Sequence, residues 1–305
     1  MNLMRWAYLA IAAGAALWGT IGLFVQELYR LGLTPLQVVT LRVSCAVIFL
    51  LLYSVVVNRQ WLQVKLKDSP LFIGTGIISI VFFNWCFFLA IQETSISVAA
   101  ILLYTAPAFV LILSRLLFKE LLTARKVLSL SLTLFGCILV VQLLPNGSMT
   151  MTTVGIIAGL GSGLFYGLYS IFGKFALRKY HPMTVTIYTF LFAALFTLPV
   201  SQVWTWIGHL NDVKLWIYAG SLGLFPTVLA FIFYTKGLKQ VEAGKASIIA
   251  TLEPVVAAFI GMLFYSEILT LWQYLGVVCV IFSVIIVQNI SLTKWLEKRR
   301  VKQSA

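Results

Sequence analysis

The chain has 305 residues, of which 61% are hydrophobic and 10% charged, with a mean hydropathy of +1.00. Soluble domains carry about 45–50% apolar and about 25% charged residues, so an ordinary soluble enzyme and a disordered chain are both excluded and the chain belongs in a bilayer. Its 22 Lys and Arg against 9 Asp and Glu give a net charge of +13, a value that in a soluble protein would point to nucleic acid.

Charges and turn residues cut the apolar text into ten segments, near 6–25, 36–57, 70–90, 97–118, 125–143, 153–173, 183–203, 214–236, 244–265 and 271–290. A spanning helix needs about 20 apolar residues, which each segment approaches or exceeds. Apolar side chains stand at nearly every position, without the alternation of a barrel strand. The expected fold is therefore an all-α integral membrane protein with ten transmembrane helices and short connections.

An even number of helices places both termini on one side. With the N-terminus in the cytoplasm, the basic residues gather on the inner side from Arg5 to Lys302, while Arg30 and Lys214 fall outside and Arg42 lies within a span. Such a bias sets orientation, so the charge is topology information and no nucleic-acid partner is expected. The tail at Trp295, Lys298, Arg299 and Arg300 reads as an interfacial anchor touching anionic lipid at the cytoplasmic face.

Sliding the sequence by 147 places Pro35 on Pro182, Ala99 on Ala246, Pro107 on Pro254, Glu120 on Glu267 and Thr123 on Thr270. At 148, Trp18 and Gly19 fall on Tyr166 and Gly167. Each copy holds five spans, an odd number, so the second must enter the membrane inverted. The expected division is a first five-helix repeat over 1–145, a second over 152–290, and a basic cytoplasmic tail over 291–305. Two near-equivalent halves can exchange conformations about a central site, which is the basis of alternating access.

With Trp18 and Gly19 early in the first helix, Pro107 and Glu120 closing the first repeat, and Leu252, Glu253, Pro254 and Glu267 closing the second, the chain resembles the drug/metabolite transporter superfamily, EamA type. The resemblance implies a secondary transporter in the cytoplasmic (inner) membrane, often an exporter of amino acids, other metabolites or drug-like solutes.

Arg42 and Glu253 are the ionisable candidates within the spans, where a charge costs at least about 2.5–3.5 kcal/mol and is functional by default. Arg42 lies roughly 10 Å below the outer end of its helix and Glu253 roughly 12 Å above the inner end of its own. Arg42 reads as an attractor of a substrate carboxylate, as a partner fixing Glu253, or as a snorkelling side chain. A carboxyl group in a low-dielectric cavity can bind and release a proton, so Glu253 reads as a proton-coupling residue or as a structural acid. Pro107 and Pro254 interrupt the fourth and ninth helices, freeing the carbonyls of Leu103 and Ala250 for a kink or a ligand. Trp18, Asn84, Tyr104, Tyr166, Tyr169, Tyr188 and Tyr234 complete the candidate substrate site, each with core packing as its alternative role.

Gly155, Gly159, Gly163 and Gly167 form a small-residue face that serves close helix packing within a monomer or in a homodimer. His181 and His209 fall in loops on opposite sides, and Gly159, Gly161 and Gly163 lack the strand context of a nucleotide loop. Cys45, Cys86, Cys137 and Cys279 read as reduced packing residues. No cofactor, no metal and no catalytic residue is expected. The rival readings are a membrane-embedded lipid-modifying enzyme, which needs a polar cluster at one interface that the sequence lacks, and a channel.

Overall fold

A computed structural model gives the fold and describes residues 2–142, 152–202, 205, 211–266 and 268–288. Among these residues the helices join into ten rods: α1 (Leu3–Arg30), α2 (Pro35–Val57), α3 (Leu66–Glu93), α4 (Ile96–Phe118), α5 (Ala124–Val140), α6 (Thr153–Ala176), α7 (Pro182–Val200), α8 (Val213–Gln240), α9 (Ala243–Tyr265) and α10 (Leu271–Val287). Eight are long and apolar enough to cross a bilayer, and α5 and α10 have 17 residues each. The ten expected spans correspond to the ten rods, the first running on to Arg30. His209, Glu267 and the tail 291–305 lie outside the described residues.

The repeat is written into local geometry. Thr123 caps α5 by accepting the Lys126 N–H at 3.3 Å, and its equivalent Thr270 caps α10 through Gln273 at 3.4 Å. The chain leaves α4 through Lys119 at φ 58° and leaves α9 through Ser266 at φ 55°, again 147 residues apart. Wider π-type turns occupy Gly74–Val81 in α3 and Leu224–Leu229 in α8, overlapping at the same offset. Both α4 and α9 break in mid-membrane, after Leu103 and after Ala250.

These breaks correct the expected role of the prolines. Pro107 and Pro254 sit inside the first turn after each break, where a missing N–H costs little, and are not mid-helix kinks. The chain has already turned, and hydroxyls brace each turn: Thr105 donates to the Leu102 carbonyl and Thr251 to that of Ile248, both at 2.6 Å.

The two repeats interlock. α1 packs on α8 and α9 of the second repeat, while its equivalent α6 packs on α3 and α4 of the first; α2 meets α7, and α5 meets α10. Thr133 and Ser283 share a hydrogen bond of 2.7 Å between α5 and α10. The glycine face of α6 is spent inside the monomer. A Cβ on Gly159 would lie 2.3 Å from Leu102 Cδ1, and one on Gly163 would lie 2.8 Å from the Leu102 carbonyl oxygen. Gly161, on another face, has only ordinary contact at 3.5 Å from Cys86 Sγ. Gly163→Val is therefore expected to destabilise the fold by about 3 kcal/mol, the cost of overpacking against backbone. Gly161→Ala should be neutral or slightly stabilising. Thermal melts of the detergent-solubilised protein separate the two, and equal melting temperatures would remove the packing argument.

One membrane face, here called the basic face, carries the connections after α2, α4, α6 and α8. Asp68 accepts from Lys179 Nζ at 2.6 Å and from the Tyr180 hydroxyl at 2.7 Å. That hydrogen bond from Lys179 to the carboxylate holds the ammonium above its ordinary pKa. The Trp61 ring stacks on His181 at 5.3 Å, and Lys174 donates to the carbonyls of Leu238, at 2.8 Å, and Val241. The connections of both repeats are thus tied together on this side.

Candidate functional site

Between the repeats lies a cavity of about 50 Å³ lined by α1 (Trp18, Ile21), α2 (Arg42), α3 (Ser79, Ile80, Phe83, Asn84), α6 (Tyr166, Tyr169, Ser170), α8 (Phe231, Tyr234) and α9 (Glu253). One water needs about 10–15 Å³ of such space, so the cavity has room for a few waters and must widen to admit a solute. Part of the lining follows the internal repeat: Trp18 pairs with Tyr166, Ile21 with Tyr169, and Asn84 with Phe231, each at the offset of its helix.

The fold brings seven of the nine predicted substrate-site residues here: Trp18, Arg42, Asn84, Tyr166, Tyr169, Tyr234 and Glu253. It leaves two elsewhere. Tyr104 ends the first half of α4 and packs against the Cys137, Val140, Val255 and Val277 cluster. Tyr188 points toward the basic face, where its hydroxyl donates to the Leu62 carbonyl at 2.7 Å and its ring lies 5.1 Å from Phe72. Ile21, Ser79, Ile80, Phe83, Ser170 and Phe231 are lining residues missed in the sequence. Two of them carry a usable signal, because Ile21 and Phe231 are the repeat equivalents of the predicted Tyr169 and Asn84.

Arg42 Nε donates to Thr227 Oγ1 at 2.8 Å, and that hydroxyl donates at 2.7 Å to the Leu222 carbonyl five residues back, in the widened turn of α8. The wide turn of the second repeat thereby orients a cation supplied by the first. Guanidinium has five donors, and among the described residues the bond from Nε is the one Arg42 makes. Its symmetry mate Thr189 makes the matching contact to α3, a 2.7 Å bond to Thr75.

Glu253 Oε2 accepts from the Tyr166 hydroxyl at 3.3 Å. Among the described residues no contact salt bridge joins Glu253 to Arg42, but the two opposite charges attract across the cavity. One positive and one negative side chain line the same small cavity, each held by a neutral hydroxyl. Trp18 is 5% exposed, and its Nε1 donor has no partner. A buried unsatisfied donor costs about 1–3 kcal/mol, which makes this indole a group awaiting an acceptor.

Aromatic rings form the rest of the wall. Trp18 stands edge-on to Phe231 at 5.0 Å and to Tyr166 at 6.1 Å, and Phe83 meets Tyr166 at 5.3 Å. Behind them Ser170 and Tyr234 share a 2.7 Å hydrogen bond, as do Tyr169 and Thr235, clamping α6 to α8. The arrangement can bind a small solute through two opposite charges and an apolar face. It offers no activated nucleophile.

The EamA-like transporter family model matches twice, over residues 5–142 and 153–288. An uncharacterized transporter of Archaeoglobus fulgidus is 31% identical over 287 residues, covering 93% of this chain and 96% of that protein. The uncharacterized transporter YyaM of Bacillus subtilis is 26% identical over 249 residues, 79% of each chain. A solved crystal structure superposes with a TM-score of 0.76 at 16% identity, over 95% of this chain and 98% of the other, a likeness of fold. Two family matches that each span one five-helix copy, on a ten-helix bundle with a central polar cavity, make this chain a multi-pass membrane protein of the EamA-like transporter family, within the drug/metabolite transporter superfamily.

Proposed function

We propose that the protein is a secondary carrier, not an enzyme, which moves a small amphipathic metabolite or drug-like solute by alternating access about the central cavity. The observation that supports this most is that the cavity lies between the two repeats, lined by three repeat-equivalent residue pairs and by Trp18 with its unpaired donor. A site between two such repeats can be exposed to either side by exchanging the conformations of the two halves. In this reading the first repeat is 1–145, the second 152–290 and the tail 291–305. The basic face is cytoplasmic, and the membrane is the cytoplasmic one. Transport runs outward, and Glu253 couples it to protons. The positive-inside bias supports the orientation.

The test is counterflow in proteoliposomes, screened over amino acids and toxic analogues. Saturable exchange of labelled for unlabelled solute is expected; conductance without counterflow would indicate a channel, and lipid conversion an enzyme. Trp18→Phe adds a sharper check. It removes the unsatisfied donor together with some ring volume, so thermal stability should shift by less than about 1 kcal/mol while solute affinity falls about tenfold. Equal losses of stability and affinity would return Trp18 to the core.

A further inference from the structure

The basic face is closed by a hydrogen-bonded and ionic bridge between the repeats. Glu120 follows α4, just past the left-handed turn at Lys119, and is 9% exposed. Its carboxylate crosses to the second repeat, where Oε1 accepts the Ala243 N–H at 2.8 Å and Oε2 the Gly244 N–H at 3.2 Å. These are first-turn amides of α9, which have no partner within the helix. Lys126 on α5, 2% exposed, brings Nζ within 3.8 Å of Glu120 Oε2 and 3.3 Å of Glu242 Oε2; Lys245 Nζ lies 2.8 Å from that same Glu242 oxygen. Gly244 permits the approach, since a Cβ there would lie 2.5 Å from Leu111 Cδ2. The half-helix so anchored is sealed, with Ala243, Ala246, Ile248 and Ile249 all 0% exposed.

The repeat supplies a comparison among the described residues, which do not include Glu267, the equivalent of Glu120. At an offset of 147, Ala243 corresponds to Ile96 and Gly244 to Ser97 at the start of α4. There Ser95 caps the helix locally, its Oγ accepting the Val98 N–H at 3.2 Å, and Ile96 is 70% exposed. Val110 and Leu111, against which α9 closes, are buried, whereas their equivalents Ala257 and Ala258 are exposed and half-buried. Among the described residues, the equivalent surfaces are thus buried at the basic face and more exposed at the other. A cleft of about 440 Å³ lined by Thr123, Arg125, Lys126, Glu242 and Lys245 reaches the ionic groups from outside. If the contact parts, carboxylate and amides therefore pass into water and not into hydrocarbon.

We infer that Glu120 is the latch of the transport cycle: its carboxylate, held by Lys126, clamps the first turn of α9 shut, and must release Ala243 and Gly244 before the central cavity opens to the basic face. Glu120 is a positioning residue and touches no solute. The inference rests on the carrier reading above.

The test uses the full chain with its four cysteines replaced by alanine and Ser247→Cys, 6% exposed in the sealed half-helix, as reporter. A membrane-impermeant maleimide is applied to the basic face in vesicles of one orientation, and to the other face in vesicles of the opposite orientation. Glu120→Ala is expected to raise labelling from the basic face about tenfold, with no change from the other, because two charge-assisted hydrogen bonds are lost. Glu120→Asp, too short to reach both amides, should fall between. Unchanged labelling in a monodisperse Glu120→Ala protein, or an equal rise from both faces, overturns the latch. A second measurement leaves Glu120 intact: a Leu111→Cys, Gly244→Cys disulfide should stop counterflow and reductant should restore it, whereas full counterflow in the cross-linked protein also overturns it. Absence of counterflow from the unsubstituted protein, with labelling still raised by Glu120→Ala, would instead remove the carrier reading and leave the opening at Glu120 standing.

Discussion

Replacing Arg42 with methionine is expected to weaken solute binding about 100-fold or more while leaving the protein folded. The argument for folding is local. Thr227 loses a donor but still gives its own proton to the Leu222 carbonyl, so no polar group on α8 is orphaned. Glu253 loses the attraction of a cation across the cavity but no direct salt bridge, so the cost falls short of that of breaking a contact ion pair. Methionine fills the stem's volume with an adaptable apolar chain. The argument for binding is the idle fork: two charge-assisted hydrogen bonds to an anionic group are worth about 1.5–3 kcal/mol each, and every 1.4 kcal/mol is tenfold. Arg42→Lys should rescue only in part, since an ammonium is a point charge without the planar fork that both grips Thr227 and presents two parallel donors. Binding isotherms of the purified variants, beside their thermal melts, decide the matter. A methionine variant that binds normally would reduce Arg42 to a brace for the α8 turn.

Much of this site is legible in the sequence, because charges and repeats survive the monotony of apolar text. Arg42 and Glu253 stand out by the cost of burying them, and Trp18 and Tyr166 by their shared place before a glycine. The errors fall where a local residue type underdetermines a three-dimensional path. Tyr104 and Tyr188 have the right chemistry and roughly the right depth, but helix azimuth turns Tyr104 toward α5 and α10, and the turn preceding α7 carries Tyr188 to the basic face. Pro107 and Pro254 mark the breaks in α4 and α9 while standing just after them, the turn itself being made at Tyr104, Thr105 and Thr251. The wide turn in α8 has its mark in Pro226, whose missing N–H leaves the Leu222 carbonyl to Thr227, the hydroxyl that orients Arg42. Glu120 is visible as a repeated acid, but its hold on α9 needs the interlocked packing of the repeats, which no one-dimensional comparison contains.

Glu253→Gln is expected to abolish solute accumulation driven by a pH gradient while preserving counterflow within about threefold. Glutamine keeps the shape and one carbonyl oxygen, so it can still accept from the Tyr166 hydroxyl that Glu253 now engages at 3.3 Å. What it loses is the ability to exist with and without a proton, and counterflow at equal pH on both sides makes no use of that ability. Position gives the proton leverage on conformation. The Glu253 backbone carries the α1 contact, since a Cβ on Gly19 would lie 2.8 Å from the Glu253 carbonyl oxygen, and the carboxylate faces α6. It therefore stands where helices of both repeats converge, two residues past the break in α9 at Thr251. A carboxylate accepts up to about four hydrogen bonds and a protonated one donates as well, so its protonation changes which neighbours hold the part of α9 after Thr251 against α1 and α6. Proteoliposomes with an imposed pH gradient measure accumulation, and the same vesicles at uniform pH measure counterflow. Accumulation that persists in Glu253→Gln would assign the coupling elsewhere and leave Glu253 as a hydrogen-bonded acid within the solute site. Loss of both activities in a folded variant would mean that the negative charge itself binds the solute, as a counterpart to Arg42.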